Sequence, residues 1–288
     1  MSDRVGADRA VASGFASTAR GQLSGDGPRA RRSRLEHVLR RAGTGLLFAT
    51  FGVGSLFLAT FGFPFLVVRY RGRARELAAQ RLIQRAFATF VAFGTLLRLF
   101  ELRWTGSDAL RRGPRLVVAN HPTLLDVVFL ASRMPQADCI VKAEAWRNPF
   151  LRRVVEVAGY VPNSSGPEVV EACVERLRSG RSVIVFPEGT RSPHTGLHRF
   201  QRGAAHISMR SGVPMTPVVI RCNPPALKRG QPWWDVPDRK LILSLDVGPP
   251  LRAEDLAAGS SAAVPRVARE ATAGLRRYFE TREQHEDS

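Results

Sequence analysis

The chain has 288 residues, of which 44% are hydrophobic, with 25 glycines and 19 prolines. This composition is typical of a globular protein and excludes a collagen-like or mostly disordered chain. The length suits one α/β domain of ordinary core size with additional helices at one end, and two full catalytic domains would be a tight fit.

A surplus of basic residues gives the chain a formal net charge of +18. Such a surface attracts polyanions, either nucleic acid or the anionic face of a bilayer. Much of the charge flanks an apolar run instead of alternating with aromatic side chains, which favours a membrane over nucleic acid. The three cysteines form no Cys-x-x-Cys pair, so the sequence indicates neither a disulfide framework nor a zinc site.

The N-terminal region divides into a basic stretch and an apolar run. Residues 1–33 lack the short apolar core of a cleavable signal, and we predict a disordered basic tail. Residues 42–68 contain no charged side chain and are long enough to cross about 30 Å of hydrocarbon. A buried core helix is the alternative. Arginines flank the run on both sides, and its glycines and Pro64 would permit a re-entrant hairpin with both ends on the cytoplasmic side.

The pattern of apolar residues changes after this run. Residues 76–98 repeat with helical periodicity, which predicts a helix in the interface plane or against the domain. Short β-branched runs then alternate with helical and turn segments, at residues 115–119, 138–142, 182–186, 216–221 and 241–247. We therefore predict an α/β domain over residues 99–283, with a mixed sheet flanked by helices, preceded by membrane-associated helices over residues 34–98.

A histidine and an aspartate bracket the loop that follows the first of these strands. Pro122 suits the first turn of a helix, so His121 is expected at a strand-to-helix corner. A general base must be exposed at such an edge, and a carboxylate five residues on can hold its second ring nitrogen. The spacing favours His121 as base and Asp126 as orienting group, with the nucleophilic hydroxyl supplied by a substrate. A structural or capping role is the alternative for this spacing alone.

A second polar loop, at residues 186–192, also follows an apolar strand. Gly189 permits a tight turn, and Arg191 offers a guanidinium fork suited to a phosphate or carboxylate. Ligands bind at the carboxyl ends of strands in α/β sheets, so both loops are expected at one ligand crevice. A surface turn with a solvated arginine is the alternative.

Together these segments resemble the glycerolipid acyltransferase family, whose bacterial type member is 1-acylglycerol-3-phosphate acyltransferase. The resemblance runs from about Phe100 to Pro225. The family's Asn-His-x-x-x-x-Asp block matches residues 120–126, and its Phe-Pro-Glu-Gly-Thr-Arg block matches residues 186–191 without a change. The resemblance implies that His121 and Asp126 are catalytic. It also implies a substrate-binding set of Asn120, Lys142, Glu188, Gly189, Thr190 and Arg191.

The family's second block is only half present. Lys142 belongs to its basic-x-acidic start, but its usual Asp-Arg ending is replaced by Pro162 and Asn163. That arginine is expected to help hold the phosphate of the acceptor, so the head group of the acceptor is left open.

The resemblance implies acyl transfer from acyl-CoA or acyl-carrier protein to the hydroxyl of a lysophospholipid such as 1-acylglycerol-3-phosphate. It implies membrane lipids and the acyl donor as partners, and neither nucleic acid, metal nor cofactor. We expect the protein at the inner or plasma membrane with its catalytic domain on the cytoplasmic side. The alternatives are a lyso-aminolipid or specialised lipid acceptor, a thioesterase, and a catalytically silent membrane-binding module.

Two further groups of residues attract notice. His194, His198 and His206 lack paired carboxylate or cysteine ligands at short fixed spacing, and we expect no metal site. Trp233 and Trp234 are typical of an interfacial anchor or of packing.

Overall fold

The computed structural model describes residues 28–141, 146–147, 149–163, 166–257 and 263–284. The N-terminal part is one continuous helical path, composed of helix α1 (Pro28–Phe57), a π-helical turn (Leu58–Gly62) and helix α2 (Phe63–Arg69). Among the described residues, Arg34–Arg69 is the stretch that is long and apolar enough to cross a membrane by length and composition. Only 11% of its most apolar window is buried in the protein, which distinguishes it from an ordinary core helix.

Two expectations for this region are corrected. Residues 28–33, predicted to belong to the disordered tail, are helical, and residues 1–27 lie outside the described residues. The run over residues 42–68 does not turn back on itself at its glycines or at Pro64. Pro64 lies just after the π-helical turn, and the helical path continues through it.

The chain reverses instead at Tyr70 and Arg71, whose backbones are extended, and continues as helix α3 (Gly72–Leu96). The rings of Phe51 and Phe90 lie 5.2 Å apart, so α3 returns along α1. Helix α3 confirms the helix predicted over residues 76–98.

The rest of the chain forms a seven-stranded sheet with the order β1-β7-β6-β2-β5-β3-β4. The strands are β1 (Phe100–Thr105), β2 (Leu116–Ala119), β3 (Asp138–Val141), β4 (Val161–Pro162), β5 (Val183–Val185), β6 (Met215–Asn223) and β7 (Leu241–Val247). Neighbouring strands are parallel except β6 and β7, so the predicted mixed sheet is confirmed.

Helices cover both faces of this sheet. After a short 3-10 helix (Ser107–Arg111), they are α4 (Asp126–Arg133), α5 (Pro149–Ala158), α6 (Pro167–Arg178), α7 (Gly203–Ser211), α8 (Ala253–Leu256) and α9 (Val264–Gln284). Along β2, Leu116 and Val118 join the core formed with α6, α7 and α9, while Val117 and Ala119 join the core formed with α3 and α4. Strand β2 is buried on both faces, as expected for a central parallel strand.

A buried polar junction connects α3 to the sheet. Arg181 forms ion pairs with Glu76 of α3 and, at 2.6 Å, with Asp138 at the start of β3. Gln80 of α3 donates to Asp138 at 2.9 Å, and Arg176 lies 3.2 Å from Glu76. Helix α3 is therefore joined to the domain that was predicted to begin at residue 99, and not merely appended to it.

Candidate active site

The two polar loops predicted from sequence meet at one edge of the sheet. Strands β2 and β5 are parallel neighbours, so the loops that follow them leave the sheet on the same side. The Ser192 N–H donates to the His121 carbonyl at 2.8 Å, and the His121 N–H lies 3.2 Å from the Ser192 Oγ. The predicted convergence of the two loops is confirmed.

The expected contact between His121 and Asp126 is present. The His121 Nδ1 lies 2.8 Å from the Asp126 Oδ2. The Asp126 side chain is fully buried, whereas that of His121 is 18% exposed. When Nδ1 carries the proton and donates it to the carboxylate, Nε2 is the basic nitrogen. The arrangement thus offers an oriented general base with partial solvent access.

Asp126 is held by more than the histidine. Its Oδ2 accepts the Thr123 N–H at 2.7 Å, and its Oδ1 accepts the Thr123 hydroxyl at 2.6 Å. Burial raises the pKa of Asp126, while the hydrogen bonds from His121 and Thr123 oppose that rise by favouring the carboxylate. These contacts also explain a difference from the expected helix start. Residues 124 and 125 form a turn, and α4 begins at Asp126.

An aromatic ring fixes the plane of the histidine. The Phe186 ring stacks on the His121 imidazole with centroids 4.3 Å apart and an interplanar angle of 26°. Phe186 is the first residue of the second loop, so this loop packs against the base as well as hydrogen-bonding to its backbone. Phe186 begins the Phe-Pro-Glu-Gly-Thr-Arg block, but the motif did not predict its contact with His121.

The Glu188 side chain points into the protein interior. It is 5% exposed, and its Oε1 accepts the Ser192 hydroxyl at 2.6 Å and the His121 N–H at 3.2 Å. Its Oε2 accepts the His198 N–H at 2.9 Å. The carboxylate therefore connects the backbone of the first loop to the chain that follows the second, which fits the site-organising role that the resemblance implies for Glu188. A direct contact with substrate stays a prediction.

Gly189 and Thr190 form the exposed corner of this loop. Gly189 has φ of +68°, and a Cβ there would lie 2.8 Å from the Gln201 Nε2. A side chain at this position would meet both backbone strain and a close contact, which accounts for the glycine. Gly189 is exposed and Thr190 is half-buried, so a substrate role for them stays a prediction.

One guanidinium nitrogen of Arg191 is hydrogen-bonded within the protein. Its Nη1 donates to the carbonyls of Leu227 at 3.2 Å and Lys228 at 2.9 Å. The Leu227 carbonyl also accepts the Leu124 N–H at 3.0 Å. The segment after β6 is therefore linked to both motif loops. The predicted role of Arg191 in substrate binding stays a prediction.

Asn120 has a different position from the predicted one. It is 1% exposed, its Oδ1 accepts the Ile220 N–H at 2.7 Å, and its Nδ2 donates to the Ile220 carbonyl at 2.8 Å. The same Nδ2 donates to the Glu283 Oε1 at 3.0 Å. A side chain enclosed in this way braces the loop against β6 and α9, and its burial does not support the substrate contact that the resemblance implies.

Glu283 was not recognised in the sequence. It lies 163 residues from Asn120, and no local pattern indicates the contact. Burial and the nearby charge of Glu188 raise the pKa of Glu283, against the opposing effects of Asn120 and Arg221. Thr123 and Ser192 lie within the two motif loops, but no sequence pattern predicted their hydrogen bonds to Asp126 and Glu188.

The remaining predicted residue, Lys142, lies outside the described residues. Pro162 belongs to the short edge strand β4, and the Asn163 N–H donates to the Val141 carbonyl at 2.8 Å. Within the described part of the chain, no group of three or more His, Cys, Asp or Glu residues is placed to hold a metal ion.

Comparison with known proteins agrees with the geometry of the site. Residues 101–221 match the family model described as Acyltransferase. Over 112 residues the chain is 32% identical to a chloroplastic 1-acyl-sn-glycerol-3-phosphate acyltransferase of Brassica napus, which covers 37% of this chain and 33% of the relative. Over 138 residues it is 30% identical to a 1-acyl-sn-glycerol-3-phosphate acyltransferase of Salmonella typhimurium, which covers 44% of this chain and 56% of the relative.

A relative with a different acceptor is similar to the same degree. The chain is 31% identical over 125 residues to a lyso-ornithine lipid O-acyltransferase of Pseudomonas aeruginosa, covering 42% of this chain and 47% of the relative. The chain thus spans between a third and somewhat over half the length of these relatives. The fold matches the crystal structure of the 1-acyl-sn-glycerophosphate acyltransferase PlsC from Thermotoga maritima with a TM-score of 0.60 and 20% identity, over 88% of this chain and 98% of that one.

Proposed function

We propose that this chain transfers a fatty acyl group from a thioester donor to the hydroxyl of a lysolipid, and the match of residues 101–221 to the family model described as Acyltransferase supports this proposal. The observation that carries the proposal is the contact between His121 and the buried Asp126 at the meeting point of the two motif loops. An oriented imidazole with partial access to solvent is suited to remove a proton from a bound alcohol.

The proposed reaction requires no covalent enzyme intermediate. The His121 Nε2 accepts the proton of the acceptor hydroxyl while the hydroxyl oxygen attacks the thioester carbonyl. Collapse of the tetrahedral intermediate breaks the carbon–sulfur bond, and the imidazolium returns the proton to the departing thiolate. Buried Asp126 stabilises the imidazolium between these steps, as the third member of a catalytic triad does. The products are an ester and a free thiol.

The cysteines described in the structure fit a reaction in which none of them is the nucleophile. Burial raises the pKa of Cys139, Cys173 and Cys222 to about 12 in each case. A thiol with such a pKa is almost fully protonated at neutral pH and is a poor nucleophile.

The substrate is proposed to come from the bilayer. The apolar path over Arg34–Arg69 is long enough to span it, and its outer surface carries large exposed side chains, among them Val53, Phe61 and Phe65. We propose that α1 and α2 hold the domain at the inner or plasma membrane on the cytoplasmic side, where acyl-CoA and acyl-carrier protein are both available as donors.

The acceptor has two candidates. A lysophospholipid such as 1-acylglycerol-3-phosphate is the first, since enzymes with that activity are among the relatives. A lyso-aminolipid or another lysolipid with a less anionic head group is the second. Pro162 and Asn163 replace the Asp-Arg pair that the family resemblance associates with the phosphate, and a lyso-ornithine lipid acyltransferase is a relative of similar identity.

The test uses membranes that contain the full chain, labelled acyl-CoA and a panel of lysolipids. We expect a labelled diacyl product, identified by mass, whose formation depends on the lysolipid. A parallel assay supplies acyl-carrier protein as the donor. Release of labelled fatty acid at a rate unaffected by any lysolipid would instead indicate a thioesterase, and absence of both products would contradict the proposed activity.

A further inference from the structure

The segment between β6 and β7 presents exposed tryptophans beside the membrane-length helix. We call residues 228–240 the tryptophan loop. Trp233 and Trp234 are 37% and 56% exposed. The Trp233 ring lies 5.0 Å from the Phe48 ring of α1, and the Trp234 ring packs edge-on against Trp233 at 5.5 Å. The loop is thus packed against α1 and leaves a large amphipathic aromatic surface uncovered.

Polar contacts fix the depth of this loop along α1. Asp238 of the loop lies 3.0 Å from the His37 Nδ1, and its carbonyl accepts a hydrogen bond from Arg40. Phe48 is two turns further along the helix, inside the uncharged run of residues 42–68. The loop therefore lies where α1 changes from charged to apolar, which is the level that tryptophan prefers at a bilayer surface.

The charges around the tryptophans match an anionic surface. Exposed arginines stand on both sides of Trp234 in the loop, at Arg229 and Arg239, and Arg41 of α1 is exposed nearby. Arg41 and Trp234 line the same open cleft of about 550 Å³. The loop as a whole holds four cations, of which Lys240 pairs with Glu101 at 2.7 Å, and two carboxylates, of which Asp238 faces His37. Clustered arginines next to interfacial aromatic residues favour anionic lipid head groups.

We propose that the tryptophan loop is a second membrane contact, which places Trp234 in the head-group layer of an anionic bilayer next to α1. This inference rests on the proposed membrane location of α1. The proposed contact also affects the active site, because Leu227 and Lys228, where the tryptophan loop begins, are hydrogen-bonded to the motif loops. Arg191 donates to the Leu227 and Lys228 carbonyls, and the Leu124 N–H donates to the Leu227 carbonyl. The bilayer surface then adjoins the active site, where a lysolipid is taken up.

The test uses the fluorescence of the full chain in vesicles of phosphatidylcholine and phosphatidylglycerol, with and without lipids brominated near the head-group end of the acyl chain. Bromine quenches only tryptophans at that depth. The chain has four tryptophans, so Trp234→Phe is compared with Trp104→Phe, which removes a ring on β1 that faces Arg133 with the cation 5.6 Å from its centroid. Both changes keep an aromatic ring and should leave the fold intact.

We expect Trp234→Phe to lose a measurable part of the bromolipid quenching of the wild type, with the remainder coming from the adjacent Trp233, and Trp104→Phe to retain all of it. Undiminished quenching in Trp234→Phe would overturn the inference. A Trp234 shielded from both bromolipid and aqueous acrylamide would also overturn it, because a second copy of the chain or another protein would then cover the ring. Equal quenching without phosphatidylglycerol would remove the preference for anionic lipid.

Flotation of the same vesicles separates this inference from the proposed function. A chain that floats with the vesicles but shows no quenching of Trp234 retains its membrane location and refutes only the contact by the tryptophan loop. A chain that does not float refutes both the proposed membrane location and the contact by the tryptophan loop.

Discussion

The junction between α3 and the sheet predicts a large loss of stability for Arg181→Met. Arg181 is 2% exposed and bonds to fully buried Asp138 and to Glu76, so its removal leaves Asp138 buried with Gln80 as its remaining hydrogen-bond donor in the junction. Breaking a buried ion pair from one side costs about 3–5 kcal/mol. That is a substantial fraction of the roughly 5–15 kcal/mol that stabilises a domain.

The assay is urea unfolding of the detergent-solubilised full chain, followed by circular dichroism. The matched control is Arg178→Met, because Arg178 is an exposed arginine of α6 that donates to the Arg210 carbonyl at 2.6 Å and takes no part in the junction. We expect the control to lie within about 0.5 kcal/mol of the wild type. A loss below about 1 kcal/mol for Arg181→Met would refute the assignment of the junction as a stabilising link.

The pH dependence of the free energy of unfolding is an independent test of Arg181→Met. Burial raises the pKa of Asp138 even with Arg181 present, and the charges of Arg181 and Arg176 oppose that rise. Without Arg181 the folded-state pKa rises further above the unfolded value. The ionised group then destabilises the fold above the folded pKa, and this penalty disappears as the pH falls toward the unfolded value of about 4. The deficit of Arg181→Met should therefore shrink on acidification, and a deficit independent of pH would contradict a charge effect.

Three further predictions concern the site. Asp126→Asn should lower the acyl-transfer rate by about 10²-fold, somewhat less than loss of the base, because an amide stabilises the imidazolium less, and initial rates in membranes check this. Glu283→Leu should lower the free energy of unfolding by about 1 kcal/mol and reduce kcat more than it raises KM, whereas Glu283→Gln keeps an acceptor for Asn120 and should restore both. Lysophosphatidic acid should compete about tenfold to a hundredfold less well than a zwitterionic lysolipid, since one charge-assisted contact worth roughly 1.5–3 kcal/mol is missing at Asn163. A clear preference for lysophosphatidic acid that is lost in Arg191→Ala would contradict this last expectation.

The parts of the fold that could be predicted from sequence depend on local patterns. The apolar runs that became β2, β5 and β7 are short, β-branched and bounded by turns, so their positions were predicted to within one or two residues. Strand β1 was missed although Phe100, Leu102 and Trp104 alternate with polar residues. Strand β4 has two residues and is too short to give a pattern.

In the site, too, contacts within one loop could be predicted from sequence, and contacts between distant segments could not. The contact between His121 and Asp126 lies within one loop, and its spacing was sufficient to predict it. The enclosure of Asn120 by Ile220 and Glu283 depends on chain crossings more than 90 residues apart, which no local pattern encodes. The resemblance implied substrate-binding and site-organising roles for Glu188, but the backbone N–H groups that it binds, those of His121 and His198, become visible only once the loops are brought together.

The most direct test of the central claim is the acyl-transfer rate of His121→Ala, measured in membranes with labelled acyl-CoA and the preferred lysolipid at matched protein levels. The control is His206→Ala, a histidine on α7 that takes no part in the proposed reaction. The account predicts a fall of about 10²–10⁴-fold for His121→Ala and a rate near that of the wild type for His206→Ala. Wild-type turnover by a membrane-bound His121→Ala protein would contradict it.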